Sequence, residues 1–342
     1  MSSLEYPFPE VPAPATTTEV APGIHWLSMP LPFQLDHINL WLLADQEGGK
    51  EALTIVDSGI GNAETRSLWE RILESREVKR VVVTHYHPDH AGNAAWLCRR
   101  HGAEFWTTQG EYLTAHAVRT SSAGYTADAV LAVFRKNGLD EERAARMRAP
   151  RNRYADLVPE FPLSYRRIIE GDELVIGSNR WRAMVGHGHA PEHLSLFSRQ
   201  ANTVIAGDML LSTISTNVSV WSIDPEGDPL RLFLESIARY RELPEDVLVL
   251  PSHGKPFRGA HARVRQLEDH HQARFKDVLS SLEERPKSAA ELLGVLFRRP
   301  LDAHQMFFAM GEAIAHLHYL YYAGRAQRAL GDDGIMRYAA RR

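Results

Sequence analysis

Six consecutive residues hold the densest chemistry of the chain: His85-Tyr86-His87-Pro88-Asp89-His90 carries three imidazoles and a carboxylate. They follow Val81-Val82-Val83-Thr84, a β-branched run that reads as a buried strand ending at a functional loop. Residues two apart on an extended segment point to one side, so His85 and His87 can grip one metal ion. Pro88 ends the strand and turns the chain, which lets Asp89 and His90 aim at a second position nearby. Neutral imidazole and carboxylate suit Zn²⁺, and also Mn²⁺ or Fe²⁺.

Four such groups do not complete two coordination shells, so more ligands are expected downstream. His189 lies in Gly186-His187-Gly188-His189-Ala190-Pro191-Glu192-His193, Asp208 follows Val204-Ile205-Ala206-Gly207, and His253 follows Val249-Leu250-Pro251-Ser252. Each is a metal-binding residue type in a glycine-containing loop after a buried strand, where α/β folds build sites. Taken singly, each is as often structural as functional; their shared setting singles them out.

The elements that must position these groups follow an α/β alternation. Residues 23–29, 37–44, 53–56 and 80–84 read as strands, 62–75 as a helix with Leu68, Ile72 and Leu73 on one face, and 92–100 as a second helix. Strand-like runs resume at 173–176, 180–185, 193–197, 203–206 and 247–250, with an amphipathic helix at 230–241. Residues 1–20 show little periodicity and read as an arm. The stretch 110–160 reads as a helical insertion, or lid, into a catalytic domain spanning 21–258; it carries Arg119, Arg135, Arg143, Arg146, Arg148, Arg151 and Arg153. From 259 to 342 the pattern becomes three helices and a hairpin around Gly331-Asp332-Asp333-Gly334, as in a winged-helix-like domain.

Bulk properties exclude several classes. The chain has 342 residues, enough for one large and one small domain, and its 44% hydrophobic and 24% charged content is that of an ordinary globular protein. No apolar run approaches the roughly 18 residues of a membrane span. The first twenty residues lack a basic and an apolar signal region, so a cytoplasmic protein is expected. One cysteine, Cys98, rules out an internal disulfide or a multi-cysteine metal site. The net charge of −4 argues against a protein wrapped in nucleic acid.

In order, His85-Tyr86-His87-Pro88-Asp89-His90, Gly188-His189-Ala190-Pro191-Glu192-His193, Ala206-Gly207-Asp208 and Leu250-Pro251-Ser252-His253-Gly254 resemble the successive motifs of the metallo-β-lactamase superfamily. Val56-Asp57-Ser58-Gly59 resembles its upstream acidic strand-loop, and the resemblance spans about residues 20–258. It implies an αββα sandwich with a pair of divalent ions at one edge. It assigns His85, His87 and His189 to the first ion, Asp89, His90 and His253 to the second, and Asp208 to both, with Asp89 and Asp208 in catalytic roles. Asp57 is expected to orient a ligand from behind, and His193 to pack or hydrogen-bond behind the site. His187 stands where the family usually has Pro, as a supporting partner or alternative ligand, and Glu192 where it often has Gly.

The chemistry implied is hydrolysis by a hydroxide activated between two metal ions, here most simply zinc. The substrate expected is a small thioester or ester, cleaved in the manner of glyoxalase II or an acyl thioesterase. The alternatives are a nucleic-acid-processing hydrolase of endoribonuclease type and a lactonase or β-lactamase. The arginines of the insertion could meet an anionic substrate or form a solvated face among Asp140, Glu141 and Glu142, and Tyr125 is a candidate pocket residue. The tail has thirteen basic against ten acidic residues, unclustered, so nucleic acid is not the expected partner; packing on the main domain or a homodimer accounts better for Phe307, Phe308, Met310, Ile314, Leu317 and Leu320. No membrane partner is expected.

Overall fold

The computed structural model describes residues 4–33, 35–122, 124–147, 153–298 and 300–341. In chain order its elements are β1 (Thr17–Ala21), β2 (Ile24–Pro30), β3 (His37–Glu47), β4 (Lys50–Val56), α1 (Ala63–Ile72), β5 (Val78–Val82), α2 (Pro88–Ala91), α3 (Ala94–His101), β6 (Glu104–Thr107) and α4 (Gln109–Arg119). Then come α5 (Ala127–Lys136), α6 (Glu141–Met147), α7 (Arg153–Leu157), β7 (Arg166–Arg167), β8 (Glu173–Ile176), β9 (Asn179–Gly186), β10 (His193–Ser198) and β11 (Thr203–Gly207). The chain finishes with α8 (Pro229–Ala238), β12 (Leu248–Pro251), α9 (Ala260–Glu284), α10 (Ala289–Leu296), α11 (Ala303–Tyr322), β13 (Ala326–Leu330) and β14 (Met336–Ala340).

These elements form two compact units. The first comprises Met1–Thr120, Arg153–Thr216 and Ser236–Val264, the second Ser121–Asn152, Asn217–Glu235 and Arg265–Arg342. In this grouping α5 and α6 of the insertion fall with the tail, while α4 and α7 stay with the sheets.

The first unit is a sandwich. One sheet has the order β1-β2-β3-β4-β5-β6-β7, the other β12-β11-β10-β9-β8. Trp26, Trp41, Val56, Val82, Trp181, Leu194, Leu196, Ile205 and Leu250 bury themselves between the sheets. A second core, with Leu27, Leu40, Ile55, Val81 and Val83 from the opposite face of the first sheet, packs against Leu68, Trp69 and Ile72 of α1 and Leu97 of α3. Alternate residues of the first sheet's inner strands thus feed separate cores, as the two-residue period of a strand requires. Each fully buried large side chain contributes on the order of 2–3 kcal/mol to this arrangement. Helix α1 starts where Asn62 accepts the Thr65 N–H at 2.7 Å, and it buries the face expected of it.

Two parallel strand pairs aim the site. β4 pairs with β5 and β11 with β12, each in parallel register. Asp57 and the His85–His90 run leave neighbouring C-terminal ends in one sheet; Asp208 and His253 do so in the other. Cross-links tie the two edges together: Leu194 N–H donates to the Thr84 carbonyl at 2.8 Å and Asn39 N–H to the Ser252 carbonyl at 2.7 Å.

Three expectations are corrected. The arm is not featureless: Thr17–Ala21 forms the edge strand β1, and Glu5 makes an isolated bridge to Arg258. An edge strand needs only one partner and one buried side, so it leaves little hydrophobic alternation to read. The strand β6 is a further addition, a four-residue run, Glu104–Thr107, that pairs in parallel with β5 and β7. β5 ends at Val82, so His85 and His87 sit in a bent loop and not on an extended strand.

In the second unit, α9 to α11 are followed by the antiparallel pair β13–β14. Capping boxes at Ser288 with Glu291 and Asp302 with Gln305 start α10 and α11. Helix α11 buries Met310, Ile314, Leu317 and Leu320, and Phe275 of α9 stacks on Tyr319 at 4.3 Å. The insertion arginines meet acids: Arg135 pairs with Glu141, Arg143 with Asp140 and Arg146 with Glu142. Arg119, in the first unit, donates to the carbonyls of Val158 and Pro159. Arg148 and Arg151 lie outside the described residues. Among the described residues no helix is long and apolar enough to cross a membrane.

Candidate metal centre

The loop after β5 bends so that His85 Nε2 lies 2.9 Å from His87 Nδ1. From the loop after β9, His189 Nε2 reaches to 3.2 Å from His85 Nε2. Neutral imidazole nitrogens whose lone pairs meet this closely repel unless a cation or a proton lies between them. Asp89 leaves the first turn of α2, and its Oδ2 stands 3.6 Å from His90 Nε2 and 3.4 Å from His253 Nε2.

Asp208 faces both groups with different atoms. Its Oδ2 is 3.4 Å from His189 Nε2 and 3.9 Å from His85 Nε2. Its Oδ1 is 3.6 Å from His90 Nε2 and 3.7 Å from His253 Nε2. The donors fall into two sets, His85, His87, His189 and Asp208, and Asp89, His90 and His253, with the donor atoms of each set within 4.8 Å of one another. All seven expected ligand positions are brought together.

The donors suit a pair of divalent ions. His90 Nε2 and Asp208 Oδ1 are buried without a hydrogen-bond partner, a costly state unless something else satisfies them. The opposite ring nitrogens of two members are already engaged. His90 Nδ1 meets Asp57 Oδ2 at 2.8 Å, and His253 Nδ1 meets the His37 carbonyl at 3.0 Å. Such bonds fix tautomer and ring orientation, as in metal-ligating histidines generally. Asp57 also accepts from the Thr84 N–H and hydroxyl at 2.8 Å each. It sits at φ 63°, a left-handed conformation that aspartate tolerates better than most residues.

The supporting histidines separate by role. Buried His193 accepts the Asp208 N–H on Nε2 at 3.1 Å and lies behind the site as expected. His187 turns away: its Nδ1 meets the Pro191 carbonyl at 2.6 Å and its N–H donates to Ser236 Oγ at 2.9 Å. The geometry therefore places His189, and not His187, among the converging donors. Tyr125 belongs to the second unit, half-buried, with its N–H closing a turn on the Ser122 carbonyl.

Several residues at the site carried no legible signal. Ser58 accepts and donates across to the α2 loop, with its hydroxyl 2.7 Å from the His90 carbonyl, and Asn93 Nδ2 donates to the Ile60 carbonyl at 2.6 Å. Glu111 and Tyr154 hold the Tyr86 peptide from either side. Asn93, Glu111 and Tyr154 belong to no recognisable spacing; Ser58 lies inside the Val56-Asp57-Ser58-Gly59 motif but was not singled out by it.

These neighbours set the protonation of the cluster. Burial, reinforced by the surrounding imidazoles, holds His85 well below the usual histidine range and takes His87 down to about 3. Burial works in the same direction on His90, but Asp57, Asp89 and Asp208 outweigh it and raise His90 to about 10. Burial would raise Asp89, yet His90 and His253 bring it to about 2. A metal-free His90 thus holds its proton at pH 7 and must lose it when Nε2 binds an ion. Metal titration at pH 7 is expected to release at least about one proton per chain from this group. The buffer dependence of the calorimetric heat measures it, and binding without proton release would remove His90 as a ligand.

Residues 34–253 match the model of the "Metallo-beta-lactamase superfamily". The chain belongs to that superfamily. Residues 275–341 match the "Metallo-beta-lactamase-like, C-terminal domain". A solved superfamily structure, a beta-lactamase domain protein from Burkholderia ambifaria, is 47% identical; the match covers 99% of this chain and 98% of that one with a TM-score of 0.92. The probable metallo-hydrolase YqjP of Bacillus subtilis is 24% identical over 303 residues, 86% of this chain and 91% of that protein. An atrochrysone carboxyl ACP thioesterase of Aspergillus fumigatus is 23% identical over 297 residues, 81% of this chain and 73% of that protein. The sandwich of two sheets flanked by helices, with a helical C-terminal domain, is shared with the Burkholderia ambifaria structure.

Proposed function

We propose that the protein is a two-metal hydrolase of small acyl thioesters or esters. His85, His87 and His189 hold one divalent ion, Asp89, His90 and His253 hold the other, and Asp208 serves both. The observation that carries this reading is the division of the Asp208 oxygens, Oδ2 toward His85 and His189 and Oδ1 toward His90 and His253. When bound, the ions lower the pKa of water toward neutrality and polarise the oxygen of the bond under attack. The chain's own part is to hold seven donors in place, with Asp57 keeping the His90 ring aimed inward and His193 bonding the Asp208 backbone. Zinc suits the imidazole and carboxylate donors, as do Fe²⁺ and Mn²⁺.

Cys98 supports a metal route over a thiol nucleophile. It lies on α3 and packs against the core, and burial pushes its thiol up to about 12. The thioesterase relative supports a thioester substrate. Against nucleic acid stands α11, the third helix of the tail, whose apolar side chains are consumed in packing within the second unit. A recognition helix needs an exposed face with basic or polar groups to reach a groove.

The test is a panel of thioester, ester, lactone, β-lactam and phosphodiester probes given to the metal-loaded protein. Turnover of the thioester or ester is expected, lost on chelation and restored by divalent metal. Cleavage confined to the phosphodiester or to a structured RNA would replace this reading with the nucleic-acid one.

A further inference from the structure

Beyond Thr84, whose carbonyl accepts the Leu194 N–H, the loop to His87 has left the strand ladder, yet it must place two imidazoles within hydrogen-bond distance. Glu111, in the first turn of α4, accepts the Tyr86 N–H on Oε2 at 2.9 Å. Tyr154, on α7, donates its hydroxyl to the Tyr86 carbonyl at 2.6 Å. The peptide groups of the residue between His85 and His87 are therefore gripped from both sides.

The same carboxylate reaches the other loop. Glu111 Oε1 accepts the Glu192 N–H at 2.7 Å, three residues after His189. Glu192 answers in kind: its carboxylate accepts the Gly110 N–H at 2.7 Å, and its carbonyl accepts the Thr108 hydroxyl at 2.8 Å. Glu111 is 1% exposed. A carboxylate so buried is costly unless its oxygens are well satisfied, and an apolar residue would fill the space more cheaply. Its two oxygens are spent on the backbone of the two loops that deliver His85, His87 and His189.

We propose that Glu111 and Tyr154 are positioning residues that set the spacing of His85 and His87 and lock it to His189. This rests on the reading of those three histidines as one metal position. The second position, built from Asp89, His90 and His253, receives neither residue's hydrogen bonds. The clamp therefore acts selectively on the first ion.

The test uses Glu111→Gln and Tyr154→Phe in the full chain, with Co²⁺ titrated into metal-free protein and followed by its visible absorption. In Glu111→Gln an amide NH₂ must face a backbone N–H. Affinity at the first position is expected to fall about 10- to 100-fold, with an altered cobalt band, while the second changes by less than about threefold. Tyr154→Phe is expected to lose about tenfold at the first position, and it carries the test should Glu111→Gln fail to fold. Parental affinities and spectra in both variants, with only a lower Tm, would show that the two residues merely anchor α4 and α7, and would overturn the proposal. Failure of the parent protein to bind two Co²⁺ ions would instead remove the two-metal reading itself.

Discussion

Asp208→Ala protein is expected to retain no pair of tightly bound ions and to hydrolyse its substrate at least about 1,000-fold more slowly. The reason is the geometry of one carboxylate. Its two oxygens lie 3.4 to 3.9 Å from four imidazole nitrogens belonging to both donor sets. Removing it leaves each set short of a donor and takes away the negative charge that offsets two dications. Lewis-acid assistance of several kcal/mol is then lost, and each 1.36 kcal/mol is tenfold in rate, which sets the expected floor. Asp208→Asn keeps the shape but not the charge, and is expected to hold at most one ion. Metal content by elemental analysis and kcat on the active probe measure both effects. Two ions and unimpaired turnover in the alanine variant would show that the carboxylate is not shared.

The second large effect is structural. Gly92 follows α2 directly, and a Cβ there would lie 2.4 Å from the Gly61 nitrogen, 2.6 Å from the Gly59 carbonyl oxygen and 2.7 Å from Ile60 Cα. All three are backbone atoms, so no side chain can rotate out of the way. Gly92→Ala must push α2 off the loop after β4. That strains the Ser58 bonds to the His90 carbonyl and the Asn93 bond to Ile60. Overpacking of this kind costs about 3 kcal/mol, which lowers Tm by roughly 4 °C for a chain of 342 residues. Because the same shift moves His90, metal affinity is expected to fall with it. Thermal unfolding and chelator competition check the two together; an alanine variant as stable as the parent would mean that the two loops are less tightly apposed than described.

The order and type of the main elements were legible in the chain. The helical spacing of Leu68, Ile72 and Leu73 marks α1, the β-branched runs mark the central strands, and α9 to α11 with their hairpin follow the expected order. The seven candidate ligands were legible too, because each is a metal-binding residue type in the segment that follows a buried apolar strand. The strands β1 and β6 were not: β1, an edge strand, buries one residue of its five, and β6 is four residues long with Glu104 exposed and Trp106 half-buried.

Residue types and local spacing determined that this chain can build a sandwich and carry a histidine–aspartate cluster, since both are properties of short segments. Only the tertiary structure decided how the cluster is made. It chose His189 over His187 by turning the latter onto Pro191, and it brought Glu111 and Tyr154 to the peptide between His85 and His87. It also grouped α5 and α6 with the tail. Each of these depends on contacts between residues far apart in the chain. A single carboxylate or hydroxyl reveals nothing of its partner until the backbone has closed around it.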